Sequence, residues 1–164
     1  MSKVRFVDDG LPCLTQRVCA QHSDWHILIG CLLLTKTDRK QARPALEMLF
    51  DRVPGPAEAA ALKDPEDKEA LRDVLEPCGL LNRRFQAIVE LSRDYLDPSK
   101  RVPLDLSWVG KYAIDSYDMF ALGAELHVAD VEDPELTDWL VGFWEGRLEH
   151  WRVPAAMKTR KDFN

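Results

Sequence analysis

Between Leu106 and Lys111 the chain reads LSWVG and then lysine, a short apolar turn closed by Gly110 that opens a helix. A helix, this turn and a second helix give the outline of a helix-hairpin-helix element, whose turn exposes backbone N–H groups at a helix N-terminus where a phosphate can bind. The plainer alternative is a structural turn containing one glycine. Other chemistry-bearing residues make weaker patterns. His22 and His26 are four apart and could share a helical face, but no third ligand stands near them. Cys13, Cys19, Cys31 and Cys78 lie at intervals of 6, 12 and 47 residues, which match no zinc, iron–sulfur or redox spacing. They read as reduced thiols, most of them buried. Neither a Ser-His-Asp order nor a phosphate-binding glycine loop occurs.

The elements that must position such a turn are helical. DWHILIGCLLLTK starts with Asp24 as an expected N-cap and runs apolar from Ile27 to Leu34, which fits a central, buried helix. LNRRFQAIVELSRDYL places Leu81, Phe85, Ile88, Val89, Tyr95 and Leu96 on one stripe, with Arg83, Arg84, Glu90 and Arg93 largely off it. KYAIDSYDMFALGAE aligns Ala113, Tyr117, Phe120, Ala121 and Ala124 on one face. In DPELTDWLVGFWEGRLEHW the inward residues are expected to be Leu136, Leu140, Phe143 and Trp144, with Asp133 as cap and Pro134 at the first helical position. Linkers are expected at VPGPAEA and DYLDPSKRVPLDL. No alternating strand of useful length appears, so the fold class is all-α.

Composition narrows the function classes. The 164 residues are 46% hydrophobic and 30% charged, those of a globular chain with room for a core. No window approaches the roughly 18 unbroken apolar residues of a membrane span, and the N-terminus lacks the apolar core of a signal peptide. The expectation is a protein that stays where it is made. The net charge of −6 argues mildly against nucleic acid. Clustering matters more: seven acids against three bases fall between Glu58 and Glu76. Bases gather instead at Lys36, Arg39, Lys40 and Arg43, at Arg83 and Arg84, at Lys100 and Arg101, and from Lys158 to Lys161. One acidic and one basic side are compatible with DNA.

Several stretches, namely GKYAIDSY, EPCGLLNRRFQAIV, YL with PLDL, and the run from HVAD to TDWL, together resemble the helix-hairpin-helix superfamily of base-excision DNA glycosylases. Within it, the likeness is to the glycosylase domain of the methyl-CpG-binding-domain thymine DNA glycosylases, from about Leu14 to Trp144. The resemblance implies two helical lobes with a base pocket between them. One lobe would span about 35–100; the other would combine the N-terminal segment with about 101–150, carry the hairpin at 106–112 and end in a tail at 151–164.

In that superfamily a hairpin of the pattern L-P-G-V-G is followed about twenty residues later by a catalytic aspartate. Gly110 and Asp130 are twenty apart. The resemblance therefore assigns catalysis to Asp130, whose anion would stabilise an oxocarbenium-like sugar and orient the attacking water. Asp133 competes on spacing alone but is better explained as a cap. Tyr112 matches a wall of the base pocket, with core packing as its alternative, and Gln16 matches an amide that reads the extruded base, with a surface amide as its alternative. Bifunctional members carry a Schiff-base lysine where Tyr112 stands, and Lys111 comes one residue early, which implies a monofunctional enzyme. Lys36 takes the place of the residue that fills the gap left by the flipped base. Leu80 resembles the apolar wedge beside the unpaired partner, or is simply core. Trp108 departs from the pattern, standing where the hairpin expects its first glycine, next to the phosphate-contacting positions Gly110 and Lys111.

The function these residues imply is excision of thymine or uracil opposite guanine from double-stranded DNA by a monomer with neither metal nor cofactor. It would act in the nucleoid of a bacterium, in a virus-infected cell or in a nucleus. A silent DNA binder, a glycosylase for another lesion such as adenine opposite 8-oxoguanine, and a helical interaction module without DNA remain the alternatives.

Overall fold

The computed structural model describes residues 3–149 and 151–154, so the basic run Lys158–Lys161 and most of the expected tail lie outside the described residues. The fold is all-α. Its helices are α1 (Leu14–Ala20), α2 (Asp24–Leu34), α3 (Arg39–Arg52), α4 (Pro56–Ala60), α5 (Glu66–Ala70), α6 (Arg72–Leu75), α7 (Leu81–Leu96), α8 (Lys111–Phe120) and α9 (Pro134–Trp144), and no strand occurs among the described residues.

The centre is α2, apolar on every side and packed against α1, α3, α7 and α8. Its Gly30 lets α1 approach: a Cβ there would stand 3.2 Å from the Cys19 sulfur. The expected cap is corrected. Ser23, in extended backbone, caps α2 by accepting from the His26 N–H, so Asp24 becomes the first helical residue and its side chain turns inward. Wholly buried, the Asp24 carboxylate accepts from the hydroxyls of Tyr95 at 2.7 Å and Tyr117 at 2.8 Å, and the Trp25 indole donates to Ser92 at 3.0 Å. The two tyrosine hydroxyls, with the Trp25 backbone N–H that also donates to the carboxylate at 3.0 Å, offset much of the cost of burying it, and the tyrosines tie α2 to α7 and α8.

Other elements depart from the reading in one direction: tertiary packing moved the boundary. VPGPAEA is not a linker, because Pro56 starts α4 at its first helical position and α4 lies along α7. After α7 the chain makes one helical turn, closed by Asp105 N–H to the Arg101 carbonyl at 2.8 Å, before the LSWVG segment. Ala124 is exposed because α8 ends at Phe120. On α9, Trp139 is the buried tryptophan, edge-on to Phe120 at 5.3 Å, whereas Trp144 is exposed. On α7, Arg84 is 5% exposed rather than on the polar side, while Leu96 faces solvent. All four cysteines are free and buried, and burial pushes the Cys31 thiol up to about 12.

Candidate functional site

A cavity of about 340 Å³ opens where α2, α7 and α8 meet, and six residues singled out in the sequence line it: Lys36, Leu80, Trp108, Gly110, Lys111 and Tyr112. Arg83 and Arg84 line it too. The lining therefore holds four basic residues and no acid, in a chain whose net charge is −6. Of the three bases in the 58–76 stretch two are paired, Lys68 with Asp64 at 3.1 Å and Arg72 with Glu69 at 2.9 Å. Lys100 and Arg101, read as part of a basic cluster, are likewise matched with Asp94 and Asp105.

The backbone of the rim is unusual. Among the described residues, four other than glycine have positive φ, and three of them, Lys36 (60°), Leu80 (56°) and Trp108 (68°), line this cavity. Lys36 follows the C-terminal end of α2, a position that glycine usually fills. Leu80 sits at the N-terminal boundary of α7 with no capping side chain. Each such residue costs on the order of 1 kcal/mol or more, and such strain concentrates at functional sites. Arg84 holds part of the rim from beneath, donating to the carbonyls of Leu32 and Thr35 and to the Thr37 hydroxyl, which occupies the open C-terminal end of α2. Burial lowers its pKa. An arginine in a polar stripe gave no sign of this role.

Tyr112 forms the inner wall. Burial raises its pKa far above the usual phenol range, so the hydroxyl stays neutral. Gln16 is not in the lining, nor is it a surface amide; at 2% exposure it lies behind Tyr112, with Nε2 donating to the Tyr112 hydroxyl at 2.8 Å and to Ser116 Oγ at 3.3 Å. Its Oε1 is buried without a partner among the described residues. Swapping the amide O and N would only move the deficit to the other atom.

Asp130 ends a short 3-10 turn, Val128–Asp130, with its side chain exposed and outside the lining. It is tied to the cavity by Lys111, whose ammonium donates to the Asp115 carboxylate at 2.7 Å and to the backbone carbonyl of Asp130. The Asp115 carboxylate raises the Lys111 pKa and keeps the amine protonated. Asp133 is the cap it was expected to be, accepting from the N–H groups of Glu135 and Leu136 at 3.0 Å. Asp115, four residues after Lys111, was legible as an i, i+4 partner but was not singled out.

Trp108 turns its indole back onto α7, donating to Glu90 Oε2 at 2.6 Å, with the Arg83 guanidinium carbon 5.3 Å from the ring centroid. The two histidines are not a metal pair in the making: His26 hydrogen-bonds Ser23, and burial lowers its pKa to about 3. Among the described residues no group of three His, Cys, Asp or Glu side chains could hold a metal. None of the helices described is long and apolar enough to cross a membrane.

No protein-family model matches the chain. Over 112 residues, 68% of its length, it is 33% identical to a Methyl-CpG-binding domain protein 4-like protein of Arabidopsis thaliana, of which it spans 24%. Over 144 residues, 84% of its length, it is 22% identical to a thymine-DNA glycosylase of Aeropyrum pernix, of which it spans 63%. The chain thus spans less than two thirds of the length of either relative.

Proposed function

We propose that this chain is a monofunctional DNA glycosylase that extrudes a thymine or uracil opposite guanine into the cavity beside Tyr112 and hydrolyses its glycosidic bond. The observation that carries this reading is the cavity lining, which on an acidic chain holds four basic residues, no acid and an aromatic wall. A polyanion is drawn to that face, and a flipped pyrimidine finds a surface on which to stack. The similarity to a thymine-DNA glycosylase supports the same class.

In this mechanism Leu80 enters the duplex and Lys36 occupies the space left by the base, each from a backbone position at positive φ on the cavity rim. Tyr112 stacks on the base, and Gln16 fixes the Tyr112 hydroxyl from behind. As the C1′–N bond breaks, its electron pair leaves with the base and positive charge grows on the sugar. Asp130 stabilises that charge and takes a proton from the water whose oxygen bonds to C1′. Lys111 cannot serve as a Schiff-base nucleophile while its amine is protonated and held between Asp115 and the Asp130 carbonyl. The product is an intact strand with an abasic site.

A second reading, a silent DNA binder, draws on the position of Asp130 outside the lining. End-labelled duplexes carrying G:T, G:U, A:U or 8-oxoguanine:A separate the readings. The expected result is alkali-dependent breaks at G:T or G:U. Binding with no base release from any duplex would support the silent binder, and release of adenine alone would overturn the pyrimidine assignment.

A further inference from the structure

Trp108 and Arg83 form a unit that the proposed chemistry does not use. Trp108 has the φ of 68° that a glycine would take at its place in the hairpin, so the loop keeps a glycine-like path while carrying an indole. That indole, 37% exposed, is not loose: Glu90 accepts its N–H at 2.6 Å, and the other Glu90 oxygen accepts from Gln86 at 3.0 Å. Arg83 lies over the ring face, 5.3 Å from its centroid. Among the described residues, seven arginines pair with carboxylates, namely Arg5, Arg17, Arg39, Arg52, Arg72, Arg101 and Arg147. Arg83 has no such pair among the described residues, although Glu90 lies beside the same ring. Stacking of this kind at an exposed site contributes little to stability. Its consequence is geometric: the flat face is occupied, and the N–H edge is left to meet an anion in the bidentate way that suits phosphate.

The geometry points to Arg83 as a phosphodiester-binding residue at the cavity mouth, with Trp108 as its positioning residue and Glu90 as the anchor of Trp108. The side chain would supply a phosphate contact at the point where a glycine hairpin offers backbone. This inference rests on the DNA reading, and its ligand is a backbone phosphate of duplex DNA.

The test is fluorescence-anisotropy titration of a G:T duplex across a salt series, using the native chain, Arg83→Met, Arg83→Lys and Trp108→Leu. For Arg83→Met the slope of log K against log salt should shrink by about 0.9, one phosphate's worth, and affinity at moderate salt should fall about fivefold to tenfold. Arg83→Lys should keep the slope yet bind more weakly, and Trp108→Leu should weaken binding with Arg83 present. Unfolding curves that overlay those of the native chain show that the variants are folded. Native-like slope and affinity in Arg83→Met, with the native chain binding, overturn this inference alone. No DNA binding by the native chain overturns the DNA reading itself.

Discussion

Two polar clusters include residues of α8, one through Tyr117 and one through Tyr112 and Ser116, and they differ in completeness. Around Asp24 the donors and acceptor match: the hydroxyls of Tyr95 and Tyr117 both find the carboxylate, and three helices are joined. Around Gln16 they do not: one amide atom bonds Tyr112 and Ser116, and the other has no partner among the described residues. A satisfied cluster is a frame; the incomplete one lies behind the cavity wall with one amide atom unmatched.

Breaking the frame gives the largest expected effect. Asp24→Leu removes the buried acceptor that both tyrosine hydroxyls share and should lower unfolding free energy by about 3–5 kcal/mol in urea denaturation; a loss below about 1 kcal/mol would mean the cluster is not a frame. On the cavity side the largest effect should be kinetic. Lys111→Met releases the Asp130 turn from α8, and the base-release rate should drop at least about tenfold with little change in substrate half-saturation, while Lys111→Arg recovers part of it. Full recovery in Lys111→Arg would reduce Lys111 to a general charge.

Acid probes the frame again, through His26 next to the Ser23 cap. Its folded pKa of about 3 lies below the ordinary 6.5, so the unfolded chain binds the extra proton. The stability this group contributes is complete above about pH 6.5 and is lost as pH falls toward 3. His26→Gln should flatten that decline between pH 6.5 and 4.5, above the range where most carboxylates titrate. The smallest stability change is expected for Gln16→Leu, within about 1 kcal/mol, because an incomplete cluster has little to lose. Its base release should nonetheless fall, and a stability loss as large as that of Asp24→Leu would erase the distinction between the two clusters.

Much of this frame was legible because it rests on local patterns. The apolar run of α2, the stripe of α7 and the Asp133-Pro134 start of α9 are one-dimensional signals, and each produced its helix. Where two nearby residues could play one part, the local pattern pointed to the wrong one: Asp24 was expected to cap α2, but Ser23 does, and the hydroxyls of Tyr95 and Tyr117 hold Asp24 inside. Trp144 was expected inward, but Trp139 is the one buried, against Phe120. On the site, six of the eight residues singled out share one cavity. The burial of Gln16 and Arg84 was not legible, because an amide or guanidinium goes inside only when distant carbonyls and hydroxyls await it. Nor was the positive φ at Lys36, Leu80 and Trp108, since none of these residue types announces it.

The most direct test sets Asp130→Asn beside Asp133→Asn in single-turnover base release from a G:U duplex, with DNA affinity and unfolding curves measured on both. Asp130→Asn should fold and bind DNA as the native chain does and release base at least about 1000-fold more slowly. Asp133→Asn should lose up to about 1 kcal/mol of stability as its cap weakens, and keep base release within about tenfold of native. The reverse pattern, release surviving in Asp130→Asn and vanishing in a folded Asp133→Asn, would contradict the assignment on which the proposed chemistry stands.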